Sequence, residues 1–149
     1  MLSYVHEQAV HEAGHAVAAC LLKIRFSEVK LIYDAGVDFA PNRVDDTCGV
    51  PYEQRPNFRL AYAAGAAAED VVFSARAEWR CTEDRRLYDK CGGNDFEEDA
   101  RKVRQVPGFN SDVLTAVASL LERRHCLPMC DDQLAEVLRN HQICIWWPT

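Results

Sequence analysis

The sequence contains no hydrophobic run that is long enough to cross a membrane. Its longest run of small apolar residues, at 60–68, has about half of the roughly 20 residues that a membrane-spanning helix needs. The N-terminus has no basic segment ahead of an apolar one, so no signal peptide is predicted. From these absences we expect a cytoplasmic protein with no membrane span.

Cysteine pairs of the kind that bind structural zinc are also missing. The seven cysteines are scattered along the chain, and no two of them are separated by two residues. Cys126 and Cys130 form a CxxxC pair, which we expect in a loop near Pro128. Without an export signal, the cysteines are expected to be reduced thiols.

The chain has fewer basic than acidic residues, 17 Lys and Arg against 23 Asp and Glu. The formal net charge of −6 gives a surface that repels phosphate backbones, so nucleic acid is not an expected partner. The chain has 149 residues, of which 48% are hydrophobic and 27% charged, as is typical of globular proteins. We therefore expect one globular domain over residues 1–149.

Residue patterning predicts an α+β fold, mostly helical, with a small sheet of two or three strands. Residues 34–46 are predicted to be a loop, and the highly charged residues 75–93 give no clear pattern. Strands are predicted at 27–34 and 47–52, and helices at 3–23, 58–74, about 95–106, 111–125 and 132–140.

An HExxH motif lies in the first predicted helix and consists of His11, Glu12 and His15. Positions i and i+4 of a helix lie about 40° apart, so both imidazoles point the same way and can share one Zn²⁺. Glu12 lies beside the first ligand, where it can activate a zinc-bound water as a general base. His6 precedes His15 by nine residues, about 900° of helical rotation, and is not expected to be a ligand.

The helix around this motif is apolar on almost every side, which predicts that it is buried. Two histidines and a glutamate inside a protein need polar partners, and a metal satisfies both histidines at once. Gly14 costs about 1 kcal/mol in a helix interior. That cost is reasonable if another segment packs closely against the helix.

The third ligand is not determined by spacing. A catalytic zinc usually has three protein ligands and one open position. A third histidine of an extended HExxH motif would fall at position 21, which is Leu21. The remaining candidates are carboxylates: Glu69, Asp70, Glu78, Asp95, Glu97, Glu98 and Asp99.

Three stretches occur in an order that resembles the FtsH-type zinc peptidases, the proteolytic halves of membrane-anchored AAA+ proteases. They are HEAGHAV at 11–17, AGAAAEDVVF at 64–73 and GGNDFEEDARKV at 92–103, and the resemblance extends over nearly the whole chain. It implies that Asp95 is the third zinc ligand. It also implies that Glu69 orients a ligand histidine, the alternative being a simple salt-bridge partner on its helix.

The resemblance further implies an edge strand that binds extended substrate through Cys48, Gly49 and Val50. Two departures from the family pattern stand out. The chain has no Walker-type phosphate-binding loop, and Ala66 replaces the family's arginine. We therefore expect an ATP-independent peptidase core, with a homo-oligomer or a separate partner ATPase left open.

The sequence thus predicts a zinc-dependent endopeptidase that hydrolyses extended peptides or unfolded protein segments. One alternative is a non-catalytic, zinc-containing module that binds peptides or regulates a partner. Another is a purely structural zinc domain, in which Cys91 would fill the fourth ligand position.

Overall fold

The computed structural model describes residues 4–31, 36–40 and 50–148. In this part of the chain the fold is mostly helical with a small antiparallel sheet, which confirms the predicted α+β class. None of the helices described is both long and apolar enough to cross a membrane. The helices are α1 (Tyr4–Leu22), α2 (Arg55–Phe73), α3 (Thr82–Lys90), α4 (Phe96–Arg104), α5 (Ser111–Arg124) and α6 (Asp132–Asn140).

The sheet has β1 (Arg25–Lys30) at its centre, between β2 (Gly36–Ala40) and β3 (Cys126–Pro128). Val29 of β1 is the register partner of Val37 on one side and of Leu127 on the other. β2 lies in a stretch that was predicted to be a loop, and β3 lies where the cysteine pair was predicted to be in a loop. The loop prediction is wrong for residues 36–40 and for Cys126, because pairing with β1 orders segments too short or too polar to show a strand pattern. Cys130 does lie in a turn, directly after β3.

The strand predicted over 47–52 is absent from the part of it that is described. Residues 47–49, which include Cys48 and Gly49, lie outside the described residues. Val50 is buried in a bend, and its carbonyl accepts a hydrogen bond from Arg55 Nε at 3.2 Å. A 3₁₀ helix, Tyr52–Gln54, follows at once. Val50 therefore does not provide the free strand edge that the resemblance implied for substrate binding.

Helices α1 and α2 pack against each other through small residues. A Cβ added to Gly14 of α1 would lie 2.5 Å from both Ala64 O and Ala68 Cβ of α2. Only a residue without a side chain fits there, so the close approach predicted from Gly14 is confirmed. The backbone of α2 is thereby brought directly against the face of α1 that carries the HExxH motif.

The C-terminal tail closes the fold at the other end of α1. Trp146 Nε1 donates a hydrogen bond to Cys20 O at 2.7 Å, and Trp147 is buried beside it. Asp95, Asn110 and Asp131 cap α4, α5 and α6 by accepting hydrogen bonds from backbone N–H groups, as N-cap residues do.

The charged stretch that had no clear sequence pattern folds as a second 3₁₀ helix, Glu78–Cys81, followed directly by α3. Its inward side chains recur at spacings of three and four residues, which is the period of one helix face. They are Cys81, Asp84, Tyr88 and Cys91, of which all but the half-buried Asp84 are fully buried. We call residues 78–90 the α3 segment.

Candidate metal centre

The two histidines of the motif are buried and oriented by hydrogen bonds from their Nδ1 atoms. His11 Nδ1 donates to Glu69 Oε2, and His15 Nδ1 donates to the Ala61 carbonyl, each at 2.8 Å. The two residues are only 2% and 4% exposed, respectively. With Nδ1 engaged in both rings, each histidine presents Nε2 as its remaining ligand atom, and the two Nε2 atoms lie 3.3 Å apart.

Asp84 of α3 brings a carboxylate to the same point. Its Oδ2 lies 2.9 Å from His11 Nε2 and 3.0 Å from His15 Nε2. Ligand atoms on a tetrahedral zinc with bonds of about 2.0–2.1 Å are separated by about 3.3–3.4 Å. These two imidazole nitrogens and one carboxylate oxygen are donor atoms that zinc binds. The distances between them are close to those between the ligand atoms of a zinc site.

Glu12 lies beside these three atoms and is itself buried. Its Oε1 accepts a hydrogen bond from Gln8 Nε2 at 2.9 Å and lies 4.0 Å from His11 Nε2. Its Oε2 has no hydrogen-bond partner in the described part of the chain. Burial raises the pKa of Glu12, although the charges of His11 and His15 oppose that shift. A buried carboxylate oxygen without a partner is costly, which favours a polar species next to it.

The electrostatics favour positive charge between the imidazoles and Asp84. Burial lowers the pKa of His11, but hydrogen bonds to Asp84 and Glu69 outweigh burial and raise that pKa to about 10. Burial would raise the pKa of Asp84, but the charge of His15 and the hydrogen bonds from both histidines hold it well below its usual range. A carboxylate that stays ionised inside the protein is a suitable ligand for a divalent cation.

Asp95, the third ligand that the resemblance implied, does not lie with the histidines. Its carboxylate is exposed, and Oδ1 caps α4 by accepting a hydrogen bond from Glu98 N at 3.1 Å. The polar cleft that Asp95 lines includes neither histidine. The assignment of Asp95 is therefore corrected: the carboxylate that reaches both histidines belongs to Asp84.

Glu69 lies where an orienting residue would have to lie. Its Oε2 contacts His11, and its Oε1 accepts hydrogen bonds from Arg80 and from the backbone of Ala77. The contact with His11 is the one that the first interpretation of Glu69 requires, whereas the ion pair is with Arg80, which lies outside α2 and is not a partner on the same helix. Its effect on metal binding stays a prediction.

Cysteine does not complete the site among the residues that the structure describes. A second group of possible ligands joins His11, Glu69 and Cys81. The positive charge of Arg80 on Glu69 disfavours another cation there. Burial also raises the pKa of the Cys81 thiol to about 12, which disfavours the thiolate that metals bind. Cys91 belongs to neither group of possible ligands.

His6 lies apart from this centre, as helix geometry predicted. Its Nδ1 contacts Glu122 Oε1 at 3.1 Å on the side of α1 that packs toward α5. Helix α1 thus has two His-Glu pairs: His6-Glu7, whose histidine makes a half-buried contact with α5, and His11-Glu12, which lies in the buried site.

Asp84 and Arg80 are the residues of the site that sequence reasoning missed. A pattern that points to Asp84 was available: Asp84 shares a helical stripe with Cys81, Tyr88 and Cys91, and a carboxylate on an otherwise inward face needs a buried partner. No comparable pattern identified Arg80, because arginines are frequent throughout the stretch from 75 to 93.

Fold and site together define a mostly helical α+β protein in which two buried histidines, a half-buried aspartate and an adjacent buried glutamate converge. No family model matches the chain, and no curated protein is significantly similar to it.

Proposed function

We propose that the protein is a zinc-dependent endopeptidase in which His11, His15 and Asp84 bind the metal and Glu12 is the general base. The observation that carries this proposal is the convergence of three ligand atoms within 3.3 Å of one another. A buried glutamate with one oxygen lacking a hydrogen-bond partner in the described structure lies next to them.

The residues of the chain have separate tasks in this mechanism. His11, His15 and Asp84 would hold a Zn²⁺, which would supply Lewis acidity to the scissile carbonyl and lower the pKa of the attacking water. Glu12 accepts the proton of that water and delivers it to the leaving amine. Gln8 holds Glu12 through Oε1, which leaves Oε2 to carry the proton. Glu69 and the Ala61 carbonyl hold the imidazoles with Nε2 toward the metal.

Burial of the site supports an extended substrate. The histidines and Glu12 are almost fully buried, whereas the side chain of Asp84 is 15% exposed. The surface of a folded domain is too broad to reach such atoms, but a single extended strand is narrow enough. This favours peptides and unfolded protein segments over folded proteins.

A zinc-containing peptide-binding module is the second candidate. It would use the same ligands without turnover. The position of Glu12 favours the enzyme, because a module that only binds peptides needs ligands and no buried base.

The test measures zinc content and hydrolysis of a pool of unstructured, quenched-fluorescent peptides. Glu12→Gln is expected to keep zinc and to lose about 100-fold or more of its hydrolysis, the usual contribution of a general base. Asp84→Asn is expected to lose zinc. Asp95→Asn is the matched control, because asparagine also caps helices well, and it is expected to retain zinc.

Each outcome has a distinct meaning. A parent protein that holds zinc and cleaves nothing in the pool excludes the peptidase and leaves the binding module. Full zinc affinity in Asp84→Asn together with loss in Asp95→Asn would restore the ligand that the family resemblance implied.

A further inference from the structure

Behind His11 lies a buried ion pair between Glu69, which holds the His11 imidazole, and Arg80, which has no part in the mechanism above. Arg80 Nη2 and Nε donate to Glu69 Oε1 at 2.7 and 3.1 Å. The side chains of the pair are 4% and 1% exposed, respectively. The other oxygen of Glu69 accepts the hydrogen bond from His11 Nδ1. Arg80, Glu69 and His11 thus form one continuous chain of contacts that ends at a ligand atom.

The chemistry of arginine suits this position. A guanidinium is always protonated, and its planar array of N–H groups fixes the orientation of a carboxylate as well as its charge. Oε1 is held by two N–H groups of Arg80 and by the backbone N–H of Ala77, so Glu69 cannot rotate without breaking the hydrogen bonds to Arg80. Oε2 is then held toward His11 Nδ1, which fixes the plane of the ring and makes Nε2 a better donor to a metal.

We propose that Arg80 is a positioning residue that sets the zinc affinity of the site through Glu69. This proposal rests on the zinc site of the proposed function, but not on peptide hydrolysis. Arg80 belongs to the same α3 segment as Asp84, so this segment supplies both a ligand and the support of a second ligand. Arg80 also lies over the ring of Trp79, 5.0 Å from its centroid, which anchors the guanidinium from the solvent side.

The experiment measures the zinc dissociation constant by competition with a chelator. Arg80→Met is expected to weaken zinc binding by about 10- to 100-fold, as is usual when a partner of a ligand is lost. Arg80→Lys keeps the charge with fewer donors and is expected to fall between Arg80→Met and the parent. Arg86→Met is the matched control in the same segment, because Arg86 pairs with Glu83 at the surface, and it is expected to change affinity less than about twofold.

A double-mutant cycle separates positioning from a general structural effect. If Arg80 acts through Glu69, the double variant Glu69→Gln/Arg80→Met binds zinc no more weakly than the weaker of the two single variants. Independent, additive losses would overturn the proposal. So would parental zinc affinity in a folded Arg80→Met.

Two further outcomes are defined in advance. If Arg80→Met does not fold, as judged by circular dichroism, Arg80→Gln takes its place. Glutamine keeps an N–H donor and loses only the positive charge and the planar array of N–H groups. Unchanged affinity in that variant overturns the role of Arg80 while the proposed function stands. A parent that binds no zinc overturns both.

Discussion

Two regions build the candidate site, and they are held in different ways. α1 and α2, which carry His11, His15 and Glu69, pack through alanines and glycines that are almost completely excluded from water. The α3 segment, which carries Asp84 and Arg80, buries few side chains and is tied down largely by ion pairs such as Arg80–Glu69 and Arg85–Glu97.

This difference predicts different responses to the metal. Apolar packing stabilises the α1–α2 pair whether or not a metal is bound. Ion pairs contribute orientation more reliably than net stability, because desolvation offsets much of the attraction in a buried pair such as Arg80–Glu69 and solvent screens an exposed pair such as Arg85–Glu97. Two of the proposed ligands therefore lie on helices held by apolar packing, and the third lies on a segment whose attachment depends more on charge.

The largest effect is expected from Gly65→Ala in the α1–α2 pair. The new Cβ would lie 2.5 Å from His11 Nε2 and 2.6 Å from His15 Nε2, so both rings must move. We expect zinc affinity to fall by at least about 100-fold. Unfolding free energy should fall by about 1–3 kcal/mol from overpacking, partly offset by about 1 kcal/mol of helix propensity. Chelator competition and chemical denaturation measure the two quantities.

Gly92→Ala is the control for this substitution. Gly92 has a φ of 81°, and a Cβ there would meet nothing closer than Arg59 Nη1 at 3.8 Å. It should therefore destabilise through backbone strain alone, by about 1 kcal/mol, and leave zinc affinity unchanged. Equal zinc loss in both variants would contradict the role given to Gly65.

A smaller effect is expected from removing zinc with a chelator. Cys20 of α1 and Cys81 of the α3 segment are both buried, and burial raises the pKa of each thiol to about 12. In the zinc-loaded protein we expect both to resist iodoacetamide up to about pH 9, because so little thiolate is present. After chelation Cys81 should react at least about tenfold faster than before, and Cys20 should not.

Mass spectrometry of the alkylated peptides gives both rates in one sample. The exposed Cys130 and Cys144 serve as internal standards that react under every condition. If Cys20 reacted faster than Cys81 after chelation, the expectation that the α3 segment depends more on the metal than the α1–α2 pair would be wrong.

The smallest effect is expected at the far end of α1. Trp146→Phe removes the hydrogen bond to the Cys20 carbonyl and should lower the free energy of unfolding by about 1 kcal/mol. Zinc affinity should stay the same, because the hydrogen bond that is lost lies at Cys20, beyond the HExxH motif on α1. Tyr52→Phe, at an exposed position, is the control and should change stability by less than about 0.5 kcal/mol. Altered zinc binding in Trp146→Phe would show that α1 transmits strain along its length.

The helices were predictable where the sequence carries a period and a cap. α1 follows from its apolar run, and α4, α5 and α6 follow from Asp95, Asn110 and Asp131 at their N-termini. β2 and β3 were not predictable, because five and three residues are too few to establish an alternating pattern. Their strand conformation depends on β1, a tertiary partner.

Within the site, His11, Glu12 and His15 were predictable because a single helix sets their mutual geometry. The third carboxylate was not, because its position depends on how the α3 segment packs against α2. The family resemblance selected Asp95. The structure explains the aspartate at this position by its role as the N-cap of α4. Asp84 was overlooked among neighbouring charges that are mostly solvent-exposed.

The separation of the ligands along the chain has a consequence for the time at which the site can form. His11 and Asp84 are 73 residues apart, so more than half of the protein must be synthesised before the proposed third ligand exists. During translation, α1 and α2 can dock as soon as both have emerged, since their contacts need no later segment. A nascent chain that stops short of α3 then carries both histidines and Glu69 but lacks the Asp84 carboxylate that contacts the two Nε2 atoms, so the proposed metal site can be completed only late in synthesis.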